Sequence, residues 1–335
     1  KTMNYRNSLL TFVFASSLGA APATHAVDLG TYNDTSFSVG GFLKAEGIFE
    51  DPENGDSRIF GRANQSRFNL KTVTQKQGHT VVGFIEGDFY GGVYPGENND
   101  WRLRHAFIKI DNATVGQTWT GQFWAVAFTD YLDFLGGPRG TLAGLNFRTA
   151  LASYQFQDLR VTAQDPVYAD ADIPDLAINY NLNLDGGHKI ILTASGREVD
   201  NGDFVAGGAV GTKIMLGRHS LNLNAHYGEG LGAFTGVGVN GSLSGDVENG
   251  EAVSQGGLNA GFRYVFNNHW RANVSYTKVE VDDQAETDYE GHRLNVIHNI
   301  IPELEVGVEW RKYNLAFGPL APEGQQVEVM AKYAF

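Results

Sequence analysis

The sequence predicts an all-β chain that closes into a transmembrane antiparallel β-barrel of about sixteen strands. Three observations carry this expectation. Segments of about ten residues with alternating polarity recur to the last residue, which is the period of two that a strand requires. Short and long connections alternate between them, as tight turns and external loops do in barrels that cross a membrane. The composition of the 335 residues, with 42 Gly, 12% aromatic side chains and only 9 Pro, suits strands better than helices, because glycine is costly in a helix while aromatics pack well on pleated surfaces.

Residues 1–26 read as a secretory signal peptide. Lys1 and Arg6 precede an apolar run from Leu9 to Ala21, and the small residues Thr24 and Ala26 stand where a signal peptidase inspects the chain. A cut after Ala23 fits the same pattern, and the run is shorter than the ~20 residues that span a bilayer as a helix. Removing this segment takes two of the 25 basic residues and none of the 38 acidic ones, so the net charge moves from −13 to −15. Residues 27–335 then form the barrel.

Strands are expected over 36–50, 58–74, 79–90, 101–110, 112–119, 147–157, 158–165, 174–183, 188–197, 204–216, 219–229, 252–266, 269–281, 289–299, 303–315 and 324–335. The later ones alternate cleanly. Leu221, Leu223, Ala225 and Tyr227 oppose Asn222, Asn224 and His226; Leu304, Val306, Val308 and Trp310 oppose Glu305, Glu309 and Arg311; Val327, Val329, Ala331, Tyr333 and Phe335 oppose Gln326, Glu328 and Lys332. In lipid every backbone polar group must be paired internally, so an even, closed set of antiparallel strands is the arrangement that works. A secreted soluble β-sandwich is the other reading, since alternation alone does not say which face meets a core and which meets lipid. The many charges on the polar faces and the terminal Phe335 favour the barrel.

Asp111-Asn112, Gly217-Arg218 and Asn267-Asn268 are tight turns, whereas 91–100, 118–149, 165–174, 228–252 and 282–289 are long. The stretch 118–149 falls as the third external loop. It carries Trp119, Phe123, Trp124, Phe128, Tyr131, Phe134 and Phe147, which need a surface to pack on, and Gly136, Gly137, Pro138 and Gly140, which force turns. Loops beyond about 12–15 residues are usually functional or disordered. This one is expected to fold into the lumen and constrict it.

Acidic residues concentrate in the connections, while bases sit mostly on polar strand faces. A low-dielectric wall lined with arginine lowers the energy of a passing anion. The candidate basic pore residues are Arg67, Arg102, Arg104, Arg139 and Arg148; their acidic counterparts are Glu86, Asp88, Asp130 and Asp133. The competing reading is that these arginines pair with Glu86, Asp88, Glu305, Glu309 and Glu328 and merely stitch the wall together. No motif points to catalysis, a cofactor or a metal. The chain has no cysteine, its nine histidines lack a zinc-binding spacing, and no Gly-x-Ser-x-Gly elbow is present. Gly236–Gly241 matches a dinucleotide pattern on paper but no helix is expected after it. No nucleic-acid partner is expected of so acidic a chain.

The segments Gly41–Gly47 (GFLKAEG), Phe60–Phe68 (FGRANQSRF), Phe84–Phe89 (FIEGDF), Arg102–Phe107 (RLRHAF), Val115–Trp119 (VGQTW) and Asp133–Pro138 (DFLGGP) resemble the DcaP-like porin family of Gram-negative outer membranes. The resemblance is dense over 36–160 and thinner afterwards. It implies a sixteen-stranded homotrimeric porin whose third external loop enters the lumen, passing small anionic solutes such as dicarboxylates and aromatic carboxylates. It also implies contact with outer-membrane lipid and lipopolysaccharide, and a terminal Phe335 that serves as an assembly signal. The N-terminal coiled coil common in that family has no counterpart here, since no heptads lie between Val27 and Thr35. An outer-membrane barrel enzyme or adhesin acting through its external loops is the second functional expectation.

Overall fold

The computed structural model describes residues 26–91, 99–132, 137–145, 148–318 and 321–335. Its strands are β1 (Val27–Tyr32), β2 (Thr35–Pro52), β3 (Arg58–Arg62), β4 (Arg67–Lys76), β5 (His79–Gly91), β6 (Asp100–Ile110), β7 (Ala113–Trp119), β8 (Arg148–Phe156), β9 (Leu159–Gln164), β10 (Asp175–Asn183), β11 (Lys189–Glu198), β12 (Phe204–Leu216), β13 (His219–Glu229), β14 (Val247–Glu248), β15 (Glu251–Ala252), β16 (Ser254–Val265), β17 (Trp270–Val281), β18 (Asp288–Ile301), β19 (Leu304–Tyr313) and β20 (Gly324–Ala334). Sixteen of them, β2, β4–β13 and β16–β20, pair each with its neighbour in an antiparallel ring. The ring closes where β20 meets β2, from Phe42 opposite Ala334 to Pro52 opposite Gly324.

Closure extends to the last residue. Gly41 N donates to Phe335 O at 3.0 Å and Phe335 N donates to Gly41 O at 3.2 Å. A side chain on Gly41 would collide with Arg67 O, 2.1 Å from an added Cβ, so glycine is what lets three strands meet here. The Phe335 ring then packs 5.7 Å from that of Phe68.

Burial separates the two faces. Leu258, Val274, Leu294 and Val329 are exposed, whereas Glu309, Glu328, Asn295 and Arg311 on the opposite faces are buried. A soluble sandwich has the reverse order, apolar within and charged without. Here the apolar residues form the outer surface and the polar ones surround a filled interior.

Two details differ from the sequence expectation. The segment 27–35 is not a bare spacer: β1 forms a hairpin with β2 through Asn33 and Asp34, whose φ values of 47° and 63° are those of a tight primed turn. The strand expected over 58–74 is broken at 63–66, where Ser66 N bonds Ala63 O (3.0 Å) and the Ser66 hydroxyl accepts from Lys44 N (3.0 Å). β3 and β4 both pair with β2, on either side of this interruption.

Candidate functional site: side chains and loops within the ring

The stretch after β7 makes its polar contacts with the buried faces of successive strands. Gly121 N donates to Gln164 Oε1 of β9 (2.8 Å), Asn179 Nδ2 of β10 donates to Gly121 O (3.0 Å), and Gln122 Nε2 donates to Ser195 Oγ of β11 (2.9 Å). Asn224 of β13 satisfies both backbone groups of Ala127, accepting from its N–H and donating to its carbonyl, each at 2.9 Å. Further on, Asp130 N donates to Asn273 Oδ1, Asn295 Nδ2 donates to Asp130 O, Leu132 N donates to Glu309 Oε2, and Lys44 Nζ donates to Leu132 O. Buried backbone without its own ladder needs such partners. Asparagine offers a donor and an acceptor together, and the asparagines on the polar strand faces supply them.

A second connection packs against the first. Leu231, Ala233, Phe234 and Val237 are completely or almost completely buried, and a short helix, α1 (Gly232–Thr235), starts this segment. Gly140 N bonds Thr235 O (2.8 Å) and Leu145 N bonds Phe234 O (3.2 Å). A Cβ on Gly144 would lie 1.8 Å from Thr235 O, so this backbone-to-backbone approach requires glycine. Trp119, Phe123, Leu142, Leu231 and Phe234 share one apolar cluster. By its length alone 228–252 is an ordinary external loop; the apolar residues at 231, 234 and 237, spaced for one face of a turn, are the signal for its burial.

Two buried arginines hold these connections. Arg139 has Nε on Gly236 O (2.9 Å) and Nη1 on Leu315 O (2.6 Å), and its guanidinium lies 4.6 Å from the Tyr289 ring and 5.0 Å from that of Phe317. It is 1% exposed, so the expectation that it faces water in the pore is replaced by a contact within the packed loops. Arg197 of β11 donates to Val167 O, pairs with Asp175 (3.4 Å) and Asp246 (3.3 Å), and lies over the Phe234 ring. Asp246 in turn accepts from Gly232 N at 2.7 Å. Burial pushes the Asp246 carboxyl above the usual carboxylate range, against the opposing pull of Arg197 and the Gly232 and Ala233 N–H groups.

Of the candidate pore residues, six come together at the root of β7. Arg102 makes a bidentate pair with Asp88 (2.9 and 2.7 Å), and Arg104 bridges Glu86 (2.7 Å) and Asp88 (2.9 Å). Arg67 Nη1 lies 3.6 Å from Glu86. Arg148, directly across from Trp119 in the β7–β8 ladder, rests on that ring at 4.4 Å, and its buried Nη1 has no acceptor. Among the described residues, four guanidiniums thus face two carboxylates. Asp130 lies elsewhere, paired with Arg271 (2.5 Å) and Arg263 (3.4 Å). Asp133 falls outside the described residues.

The wall formed by β2 and β17–β20 has a different character. Lys44 pairs with Glu46 and Glu328, Arg62 with Glu46, Arg311 with Glu309 and Glu328, and Arg271 and Lys332 share Glu305. Its charges interlock, as the stitching alternative foresaw for Glu305, Glu309 and Glu328.

A closed ring of sixteen antiparallel strands, apolar outside and filled by inward-bonded loops, is the fold of outer-membrane porins. Solved structures agree. The chain is similar to the outer membrane channel DcaP of Acinetobacter baumannii, with a TM-score of 0.73 and 20% identity over 91% of this chain and 99% of that one. It is also similar to Salmonella typhi OmpF in complex with daunomycin, with a TM-score of 0.71 and 15% identity over 92% and 100%. The anion-selective porin from Comamonas acidovorans gives a TM-score of 0.65 and 15% identity over 90% and 100%. No protein-family model and no curated protein sequence matches.

Proposed function

We propose that the chain is a passive outer-membrane channel of a Gram-negative bacterium, exported by its signal peptide and assembled as a homotrimer, that passes small hydrophilic solutes with a preference for anions. It is not an enzyme on this reading. The observation that carries it is the cluster of Arg67, Arg102, Arg104 and Arg148 around two carboxylates among the described residues, Glu86 and Asp88, with a buried Arg148 donor left unfilled. Below it, toward the short turns, Lys109, Arg160, Lys189 and Lys213 lie on the same polar faces as buried neighbours of β6, β9, β11 and β12, with no acidic residue among them. The opposite wall is charge-paired, so the surplus field comes from one side. A similarity to a barrel described as an anion-selective porin points the same way.

The loop residues 118–149 are proposed as the constriction. Their backbone is tied to the wall by the hydrogen bonds above, and Trp119 presents the ring on which Arg148 lies. A carboxylate reaching this level exchanges hydration for guanidinium donors held at fixed positions by Glu86 and Asp88, and an aromatic carboxylate can also use the ring faces. Dicarboxylates and aromatic carboxylates are the solutes this chemistry suits best. Reversal potentials across a salt gradient in a planar bilayer test the reading: the pure channel is expected to favour the anion, most strongly at low salt where screening is weakest. A cation preference overturns it.

A further inference from the structure

At the end of the barrel marked by the short turns, a row of inward side chains repeats one sign of charge. Lys189 of β11 stands directly opposite Lys213 of β12, and Lys213 directly opposite Asn222 of β13. The flanking positions on the same faces, Ile191 and Thr193, Gly211, Ser220 and Asn224, have no carboxylate. Directly opposed residues of an antiparallel pair have Cα atoms about 4.5–5.5 Å apart, and like charges so placed destabilise the sheet. Among the described residues neither lysine has an ion-pair or hydrogen-bond partner, and Asp185 in the preceding turn makes no pair with Lys189. Asn222 is 1% exposed; its Oδ1 accepts from Ser220 Oγ at 3.3 Å, and its Nδ2 has no acceptor. Two ammonium groups and one buried amide donor therefore share a row that carries no carboxylate.

We propose that Lys189, Lys213 and Asn222 form a binding site for a tetrahedral oxyanion of the inorganic phosphate class, separate from the arginine cluster beside Trp119. The donor types select the class. Ammonium groups are compact point charges that suit a small, highly charged oxyanion, whereas planar carboxylates are matched by the guanidinium fork. No aromatic ring lies in the row to receive an aromatic solute. Gly261, across from Asn222 in the β13–β16 ladder, has no side chain of its own, and the Thr129 side chain packs over it and closes that flank of the row. Occupation cancels the lysine repulsion and fills the Asn222 donor, so the bound state is the one in which the row is electrically satisfied. The site rests on the channel reading only for the route by which the anion arrives.

The test uses the refolded protein in detergent and inorganic phosphate as the probe, against chloride at equal ionic strength. Acylation of individual lysines is followed by peptide mass spectrometry. Phosphate is expected to slow acylation of Lys189 and Lys213 by about tenfold, the effect of filling charge-assisted hydrogen bonds, and to leave the exposed Lys76 and Lys312 unchanged. In a bilayer, phosphate added on the side of the short turns should block chloride current, and the block should weaken by a similar factor in Lys213→Gln and further in Lys189→Gln/Lys213→Gln. Both substitutions remove repulsion, and the heat-dependent mobility of the folded barrel verifies that they assemble. Equal acylation with and without phosphate overturns the site, as does an unaltered block in the double variant. Protection by succinate equal to that by phosphate overturns the oxyanion class. A cation preference in the reversal potentials, with phosphate protection intact, rejects the anion channel while leaving the site standing.

Discussion

Replacing Arg139 with alanine should unfasten the loops inside the ring without unfolding the ring. The guanidinium donates to Gly236 O at 2.9 Å and Leu315 O at 2.6 Å, and it touches the Tyr289 and Phe317 rings, so one side chain binds three separate connections. Hydrogen bonds from a charged donor contribute about 1.5–3 kcal/mol each, and desolvated cation–π contacts add up to about 2 kcal/mol. Against this stands the cost of burying a guanidinium that has no carboxylate partner among the described residues, several kcal/mol by itself. The net loss in Arg139→Ala is then about 2–4 kcal/mol, concentrated where residues 137–145 meet 230–246 and 314–318. Single-channel recording at 1 M salt is the appropriate assay, because fixed charge is screened over about 3 Å there and changes report shape rather than field. The variant is expected to show larger and noisier open-channel current and faster proteolysis near Gly236, with the β-sheet circular dichroism unaltered. Current and noise identical to the parent channel would refute the stapling role.

Arg148→Ala should do the opposite: leave conductance at 1 M salt near the parent value and shift selectivity toward cations at low salt, read from reversal potentials. Excising 124–144 should raise conductance and weaken selectivity together; a channel that still folds with both unchanged would place the stretch away from the narrowest point. Deleting Phe335 removes the Gly41 pairing and the Phe68 ring contact, so assembly into the heat-resistant barrel is expected to fall, measured by electrophoretic mobility without boiling. The Asp246 carboxyl is raised in the folded chain, so the folded state binds the extra proton; its contribution favours folding at acid pH and is lost as pH rises from the ordinary carboxylate range through the raised value. Asp246→Asn should therefore flatten the melting temperature over that window, and a parallel pH profile in parent and variant would argue against it.

The ring was legible because strand faces have a period. Leu221 to Tyr227 and Val327 to Phe335 alternate without interruption, and the tight turns at Asp111-Asn112 and Gly217-Arg218 mark one end. Between 58 and 120 parity alone does not assign the faces, because the register shifts at Glu86/Gly87 and Asp88/Gly91; the spacing of Glu86 and Asp88 suggests no more than a wall pair with Arg102 or Arg104. Arg139 was not legible in this way: it lies in a loop, where no period assigns a face, and a charge there reads as wet until its two carbonyl acceptors are seen. β1 was missed since all six of its residues are exposed and no buried face repeats, although Asn33-Asp34 was a turn signal. From the sequence Asn224 reads only as a polar-face residue, and nothing in the spacing singles out Asn179, Asn273 or Asn295. Their role depends on what lies opposite them across the interior, which spacing along one strand does not encode.

Those asparagines explain why the charges can be distributed so unevenly. A loop held inside a barrel must have its backbone groups paired, and pairing them to ionised side chains would consume the charges that set the field. Along β10, β13, β17 and β18 the loop is instead held by neutral amides, at Gly121, Ala127 and Asp130. Among the described residues the loop meets ionised groups where the Asp130 side chain pairs with Arg271 and Arg263 and where the Leu132 backbone meets Glu309 and Lys44, and Arg271, Glu309 and Lys44 belong to the wall whose charges already interlock. The guanidiniums around Asp88 and Glu86 are thus left out of the scaffolding, and Arg148 keeps an unfilled donor. Exchanging Asn224 for aspartate would break this separation, because the carboxylate cannot donate to Ala127 O and would bring a negative charge into the interior. The expected result is a looser loop together with reduced anion preference, and a variant that changes neither would show that the amide row is not what keeps scaffold and field apart.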